Sequence, residues 1–214
     1  MEYFDKSQHK LSTNFIYGIR RKEFNQTGYG MYLSDACKIV KKYGDMLEED
    51  CKGNTEAPGC HPIAEAALED ADKAARALVF RIDTYFSCKN NNEIKHAIYN
   101  YKTPILASIR WYDGAKVKNG ILTADTSADY GYHAIMIYGW DERGFLCQNS
   151  WGSWWGDKGR FILPFDYAIR EAKGFVDAVN MEDIDVPKSD KILNFLYKAL
   201  NWIINLFNQL KDKF

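Results

Sequence analysis

One stretch of the sequence, residues 130–159, constrains the fold more than any other. His133 begins an apolar run of bulky and β-branched residues, and Asn149 lies at the end of a second such run, within Gln-Asn-Ser-Trp-Gly. Both runs have the composition of β-strands, and the turn-forming residues around Gly144 separate them. A short turn between two neighbouring strands would bring the side chains of His133 and Asn149 side by side.

A histidine next to an asparagine suggests a particular chemistry. A neutral amide that accepts a hydrogen bond from one ring nitrogen holds the imidazole in one tautomer and one orientation. The other ring nitrogen is then free to take a proton from a thiol, which makes the thiol a nucleophile. The alternative is a buried structural histidine at the end of a strand pair, with the nearby tryptophans packed in the core.

The motif around these residues resembles the papain-like (C1) cysteine peptidases. Asn149-Ser150-Trp151-Gly152 is followed by Trp155-Gly156 and Gly159, which matches the spacing of that family, and His133 precedes the motif as the family requires. The resemblance implies an α+β fold with a helical half, a β-barrel-like half and the active site between them. It also implies peptide-bond hydrolysis through an acyl-thioenzyme.

The resemblance also implies roles for six residues. His133 would act as general base and then general acid, Asn149 would orient it, and Trp151 would shield their contact from water. The remaining three would shape the substrate site. Ala134 would border the pocket for a substrate side chain, and Gly28 and Gly30 would form a glycine-rich lip that binds substrate through its backbone, although a plain turn is an alternative for both glycines.

The nucleophile of the family has no counterpart in this sequence. Family signatures place the catalytic cysteine roughly 130–150 residues before the histidine. Counted back from His133, that distance ends at Met1 or earlier, and residues 1–36 contain no cysteine. Cys37 falls on the apolar face of a predicted helix, so we interpret it as a core thiol. The sequence thus resembles a bacterial- or phage-type member that lacks the N-terminal segment with the nucleophile. Its first residues would then correspond to the last part of the family's central helix.

Three hypotheses follow for the function. The chain is a papain-like peptidase without its N-terminal segment, and it is then predicted to be inactive in isolation. It is a non-catalytic pseudo-peptidase that binds a peptide or protein partner. Or a separate polypeptide supplies the nucleophile. All three predict a peptide or protein as the partner.

Composition excludes several other classes of function. The 214 residues carry a formal net charge of −1, and a protein that binds nucleic acid through phosphates needs a basic surface. The five cysteines match no zinc-binding pattern, so we expect neither a metal nor another cofactor. Cys51 and Cys60 are either bridged or free. No signal peptide or membrane span is visible, and the localisation stays undetermined because the resemblance implies a missing N-terminal segment.

The resemblance, together with the hydrophobic pattern, implies a division of the chain into three regions. Residues 1–78 are predicted to form a partial helical half, with helices over 30–44 and up to about Ala77. Residues 79–186 are predicted to form the β half, with strands at 79–85 and 103–111, a helix at 92–99 and a loop at 113–129.

Residues 187–214 are predicted to form an amphipathic helix at the C-terminus. Apolar side chains cover about half of its circumference, and polar residues interrupt the apolar run too often for it to span a bilayer. Three interpretations remain open for this segment: packing on the body of the protein, self-association with a helix partner, or binding to a membrane surface.

Overall fold

The computed structural model describes residues 9–53, 60–167 and 169–176. These residues form two compact units, a helical unit within 9–31 and 38–81 and a sheet unit within 32–37 and 82–176. The helix end predicted at residues 1–5 and the amphipathic helix predicted at 187–214 lie outside the described residues. The region boundaries drawn from the sequence, and the membrane or helix partner proposed for the C-terminal segment, therefore stay predictions.

The helical unit is assembled around α1 (Thr13–Phe24). The hydroxyl of Ser12 caps this helix by accepting a hydrogen bond from the backbone N–H of Phe15, as expected for serine at an N-cap. Phe15 and Ile19 are fully buried in a core that α1 shares with α3 (Cys60–Glu69). Local capping and one apolar face are therefore enough to place α1.

The alanine-rich helix predicted to end near Ala77 is present, but it is divided in two. Helix α3 ends at Glu69 and α4 spans Ala71–Ala77. The carboxylate of Asp70 accepts hydrogen bonds from the backbone N–H groups of Asp72 and Lys73, so Asp70 ends one helix by capping the next.

Helix α2 (Leu33–Tyr43) confirms the amphipathic helix predicted over 30–44. Gly44 follows it with a φ of +75°, a conformation that glycine adopts at little cost. A Cβ added to Gly44 would overlap the backbone carbonyl of Ala77. Glycine is thus required at this position both by its backbone angle and by the close approach of a second chain segment.

Two sequence predictions in this region are wrong. The strand predicted at 79–85 is instead a 3-10 turn, Leu78–Phe80, which tightens the end of α4, and β1 begins only at Thr84. The position of His61 before Pro62 in a Gly- and Pro-bearing loop predicts a surface residue, but His61 is buried, and its Nδ1 lies 2.7 Å from the carbonyl oxygen of Gly18. The first turn of α3 carries His61 onto α1, a contact that no local pattern shows.

The sheet unit contains helix α5 (Asn91–Tyr101), the N-terminal part of α2 and, within the described residues, one sheet of eight strands. The strand order is β1-β8-β2-β5-β6-β7-β4-β3, antiparallel except for the β4–β7 pair. The strands are β1 (Thr84–Ser87), β2 (Ile105–Tyr112), β3 (Lys116–Lys118), β4 (Ile121–Thr123), β5 (Tyr130–Trp140), β6 (Phe145–Gln148), β7 (Arg160–Leu163) and β8 (Ile169–Val176).

Helix α5 and strand β2 confirm the elements predicted at 92–99 and 103–111, and Asn90 caps α5 as expected. The loop predicted at 113–129 is wrong in part, because β3 and β4 form a hairpin there. Asn119 and Gly120 turn this hairpin with φ angles of 50° and 81°. Asn-Gly is a strong hairpin signal in any sequence, so the hairpin was within reach of sequence analysis.

The core of the sheet unit lies on the face of the sheet that carries alternate residues of β2 and β5. Ile105, Ala107 and Ile109 of β2 lie opposite Ile137, Ile135 and His133 of β5. The first five are buried in one cluster with residues of α5. This register places His133 at the end of a buried apolar row.

Candidate active site

The register between β2 and β5 determines where His133 lies. Its Cα partner is Ile109, and its side chain shares the core face of the sheet with Ile135, because alternate residues of a strand point to the same face. His133 is only half-buried, since it lies where the apolar row ends. The ring is therefore held by packing and still reachable from solvent.

Asn149 follows directly after β6 and is anchored by its backbone. Its N–H donates to the carbonyl of Gly159 at 2.8 Å, and its side chain is 4% exposed. The Oδ1 atom lies 2.8 Å from Nε2 of His133. The structure therefore places the two side chains in contact, as the strand–turn–strand pattern indicated.

The hydrogen bonds around Asn149 define the state of the histidine ring. The backbone N–H of Ser150 donates to Oδ1 of Asn149 at 2.7 Å, which identifies that atom as the amide oxygen. An amide oxygen only accepts, so Nε2 of His133 must be the donor. In the neutral ring, Nδ1 then carries the lone pair. None of the described residues forms a hydrogen bond with Nδ1.

Aromatic rings enclose this pair. The ring of Trp151 lies 4.8 Å from that of His133, and the ring of Trp111, on β2, lies 5.2 Å away. Trp111 also contacts Trp151 and Trp155. The ring of His133 is therefore in contact with a group of tryptophans, of which Trp151 is itself exposed.

Trp111 was missed by sequence analysis. It lies two residues after Ile109 on the same strand, so the two-residue period of a strand places it on the same face as His133's partner. That signal was available, but it depends on the pairing of β2 with β5, which the local sequence does not specify.

The other predicted site residues are Ala134 in the sheet unit and Gly28 and Gly30 in the helical unit. Ala134 is exposed and opposite Ser108, on the face of the sheet away from the His133 side chain. Gly28 and Gly30 are exposed residues of the helical unit. The structure thus brings together His133, Asn149 and Trp151.

Three cysteines of the described residues, Cys37, Cys88 and Cys147, lie in environments that oppose nucleophilic chemistry. Cys37, Cys51, Cys88 and Cys147 are free and buried, which confirms Cys37 as a core thiol and leaves Cys51 unbridged. Burial raises the pKa of Cys37 to about 11, and burial likewise raises the pKa values of Cys88 and Cys147. A nucleophilic cysteine requires the opposite shift, because the thiolate is the reactive form.

A surface cavity of about 730 Å³ adjoins the aromatic group. Trp111, Trp151 and Trp155 line it, together with Val117, Gly120 and Asp157 among others. Two of these tryptophans, Trp111 and Trp151, also contact His133, which does not itself line the cavity. Concave sites with aromatic walls and a few polar groups are typical of ligand binding.

Neither a metal site nor a membrane span was found in the described part of the chain. No group of three or more His, Cys, Asp or Glu side chains there is arranged to hold a metal ion. Among the same residues, no helix has the length and apolar character needed to cross a bilayer.

Comparison with known families and proteins places these features in context. Residues 4–169 match the model of the papain family cysteine proteases. The cathepsin B-like cysteine proteinase 3 of Caenorhabditis elegans is 31% identical over 124 residues, which is 54% of this chain and 32% of that protein. A cysteine proteinase of Theileria parva is 24% identical over 168 residues, or 76% of this chain and 34% of that protein. The chain therefore spans only about a third of the length of these two relatives.

Solved structures share the fold at lower identity. Xylellain, a cysteine protease from Xylella fastidiosa, superposes with a TM-score of 0.65 at 20% identity, over 79% of this chain and 70% of that one. The Carica candamarcensis cysteine protease CMS1MS2, solved in complex with E-64, gives a TM-score of 0.56 at 16% identity, over 81% and 80%. These likenesses confirm the predicted α+β fold of helices and a large sheet.

Proposed function

The chain belongs to the papain family of cysteine proteases, and on that premise we propose that His133 and Asn149 are the proton-transfer half of a site that hydrolyses peptide bonds. One observation carries the proposal: Asn149 Oδ1 holds Nε2 of His133 at 2.8 Å, which leaves Nδ1 as the proton acceptor. An imidazole in this state is prepared to deprotonate a thiol.

The proposed mechanism assigns each group one task. Nδ1 of His133 takes the proton of a cysteine thiol, and the thiolate attacks the carbonyl carbon of the peptide bond. The imidazolium then gives its proton to the leaving amine as the acyl-thioenzyme forms, and a water molecule, deprotonated by the same ring, releases the acyl group. Asn149 keeps the ring in place through both transfers, and Trp151 limits the access of water to their contact.

We further propose that the nucleophile comes from a segment outside these 214 residues. The support is the state of Cys37, Cys88 and Cys147, which are buried and raised in pKa. The chain by itself is then expected to bind a peptide or protein substrate without cleaving it.

The cavity beside His133 suggests which part of the substrate binds there. His133 gives its proton to the leaving amine, so the leaving half of the substrate lies on the side of the histidine. Trp111 and Trp151 contact His133 and also line the cavity. The cavity would therefore receive an apolar or aromatic side chain from the leaving half.

The test is to express the chain together with its natural upstream coding sequence and to assay it with fluorogenic peptides. We expect hydrolysis that disappears when either His133 or an upstream cysteine is replaced by alanine, whereas the 214-residue chain alone shows none. Rapid modification by E-64 of any of the five cysteines in the 214-residue chain would contradict the assignment. An extended chain that binds peptides but does not cleave them would favour the pseudo-peptidase alternative.

A further inference from the structure

Two arginines on the outer face of the sheet have no acidic partner. The outer face is the side of the sheet away from the His133 side chain, and Arg110 of β2 lies on it, directly opposite Tyr132 of β5. Arg170 of β8 reaches the same face, where it contacts Tyr132. Neither arginine forms an ion pair with a carboxylate among the described residues. This holds even for Glu171, the neighbour of Arg170 in sequence, whose Oε2 is buried and has no hydrogen-bond partner there.

Tyrosine rings hold both guanidinium groups. The guanidinium carbon of Arg110 lies 4.7 Å from the centre of the Tyr130 ring. That of Arg170 lies 4.1 Å from the centre of the Tyr132 ring and 5.1 Å from that of Tyr32. The rings of Tyr130 and Tyr132 are 5.6 Å apart, so the two arginines belong to one continuous surface. A guanidinium that stacks on a ring keeps the N–H donors at its edge available, because only its face is in contact.

A β-bulge brings Arg170 to this position. Two consecutive residues of β2, Ser108 and Ile109, pair with Glu171 and Ile169 of β8, so Arg170 between them is an extra residue. A bulge bends its strand and redirects a side chain. The register of the sheet therefore fixes the second arginine beside the first, and little conformational freedom is left to lose when a ligand binds.

This surface is accessible and positively charged. Tyr130 and Tyr132 are 43% and 48% exposed, and Arg170 is exposed as well. A hydrogen bond with Tyr130 lowers the pKa of the Tyr132 hydroxyl, and interactions with Arg110 and Arg170 lower it further. Both arginines thus act on the same point of the surface, which favours an anion there.

We propose that Arg110, Arg170 and the tyrosines between them form a docking surface for an acidic segment of a partner protein, bound in an extended conformation. In an extended segment the side chains of residues i and i+2 point to the same side, about 7 Å apart. Tyr130 and Tyr132 have this relation on β5, and each carries one guanidinium. The surface therefore matches a segment with carboxylates at alternate positions, and arginine is well suited to carboxylates because its planar donors bind both oxygens.

The inference goes beyond the proposed function and does not depend on it. The surface lies on the face of the sheet away from the His133 side chain, since alternate residues of β5 point to opposite faces. Its ligand is recognised by charge and spacing, whereas the proposed hydrolysis acts on a peptide bond at His133.

The first experiment is an NMR titration of the 214-residue chain with three capped peptides. Acetyl-Ser-Glu-Ser-Glu-Ser-amide places its two carboxylates on one side when extended. Acetyl-Ser-Glu-Glu-Ser-Ser-amide has the same composition and charge but places them on opposite sides, and acetyl-Ser-Gln-Ser-Gln-Ser-amide has no carboxylate. The first peptide should bind about fivefold more tightly than the second, which engages one arginine instead of two, and the third should not bind. The backbone signals of residues 130–132 and 169–171 should shift, and added salt should weaken binding.

The second experiment repeats the titration with variants of the two arginines. Arg110→Gln and Arg170→Gln should each weaken binding of the alternating peptide about fivefold. Arg143→Gln is the matched control, because it changes the net charge equally at an exposed arginine that pairs with Asp141, and it should leave binding unchanged. Arg170→Lys keeps the charge without the planar donors and should restore only part of the affinity. Thermal unfolding checks that each variant is folded, and Arg170→Gln, at an exposed residue, tests the proposal alone if Arg110→Gln unfolds early.

The outcomes decide the proposal in either direction. Weakening by both arginine variants but not by Arg143→Gln, with a preference for alternating carboxylates, supports the docking surface. Equal affinity for the two glutamate peptides, equal weakening by Arg143→Gln and Arg170→Gln, or shifts confined to other parts of the chain would overturn it. An extended chain that hydrolyses peptides while the 214-residue chain fails to bind the alternating peptide would overturn this inference and leave the proposed function standing.

Discussion

The contact between Asn149 and His133 can be tested by removing the amide. Asn149→Ala deletes an oxygen that accepts two hydrogen bonds, from Nε2 of His133 at 2.8 Å and from the backbone N–H of Ser150 at 2.7 Å. Each is worth about 1 kcal/mol net. The same substitution removes the Nδ2 group, which is buried and has no hydrogen-bond partner among the described residues, and this offsets part of the loss. We therefore expect the free energy of unfolding to fall by about 1–2 kcal/mol.

The more specific effect concerns the ring of His133. The lost hydrogen bond from Nε2 to Asn149 contributes about 1 kcal/mol, which corresponds to about a fivefold change in the population of the ring with its proton on Nε2. NMR of the ¹⁵N-labelled histidine reports this directly, through the shifts of the two ring nitrogens and the exchange rate of the Nε2 proton. That proton should exchange at least about fivefold faster in Asn149→Ala.

Asn91→Ala is the matched control. Asn91 also makes a half-buried side-chain hydrogen bond, to the carbonyl of Phe165 at 2.7 Å, so its loss costs a similar about 1 kcal/mol of stability. It should leave the spectrum of His133 unchanged. If Asn149→Ala preserves both the ring tautomer and the slow exchange of the Nε2 proton, then Asn149 does not orient His133 and the argument for the site is wrong.

Three further predictions concern stability and the cavity. Gly44→Ala should lower the free energy of unfolding by about 3 kcal/mol or more, because the new Cβ overlaps the backbone of Ala77. Gly120→Ala is the control: it has a similar φ but open space around it, and it should cost only about 1–2 kcal/mol. Equal losses of stability for the two variants, measured by chemical denaturation, would contradict the steric argument. Burial raises the pKa of Cys37 from 9.0 to about 11. The stability that the neutral thiol contributes is therefore complete below pH 9 and is lost as the pH rises through 11. Cys37→Ala should make the fall in stability over that pH range less steep, and an unchanged slope would count against a buried thiol. Val117→Trp should fill the cavity and raise the KM of the extended enzyme more for peptides with a large leaving-side residue than for those with alanine there, whereas an equal effect on both would remove the cavity from the substrate site.

Much of the candidate site could be predicted because it depends on local patterns. Two apolar runs with a two-residue period, separated by a short turn, specify two adjacent strands and so the contact between His133 and Asn149. The Asn119-Gly120 turn was equally local, and its hairpin was missed because the segment was interpreted only as a connection to the histidine. Helix boundaries at Gly44 and Asn90 followed from capping chemistry in the same way.

The features that sequence analysis missed all depend on partners far away in the chain. Trp111 reaches His133 only because β2 pairs with β5, and His61 is buried because α3 packs on α1, 43 residues from its partner Gly18. Arg20 carries a charge, which is typical of surface residues. That it is buried follows only from the tertiary structure, in which it donates hydrogen bonds to the carbonyls of Tyr17 and Gly28.

The sequence by itself determined the family resemblance, the strands that carry His133 and Asn149, and the mismatch between the family's nucleophile and the cysteines present. Only the tertiary structure decided which tautomer the histidine adopts, which tryptophans contact it and which side chains bond to the backbone of Gly28 and Gly30. The physical reason is the range of the interactions. Periodicity and capping act over a few residues and leave a mark in the local sequence, whereas side-chain packing and buried hydrogen bonds join residues whose separation along the chain is unrelated to their distance in space.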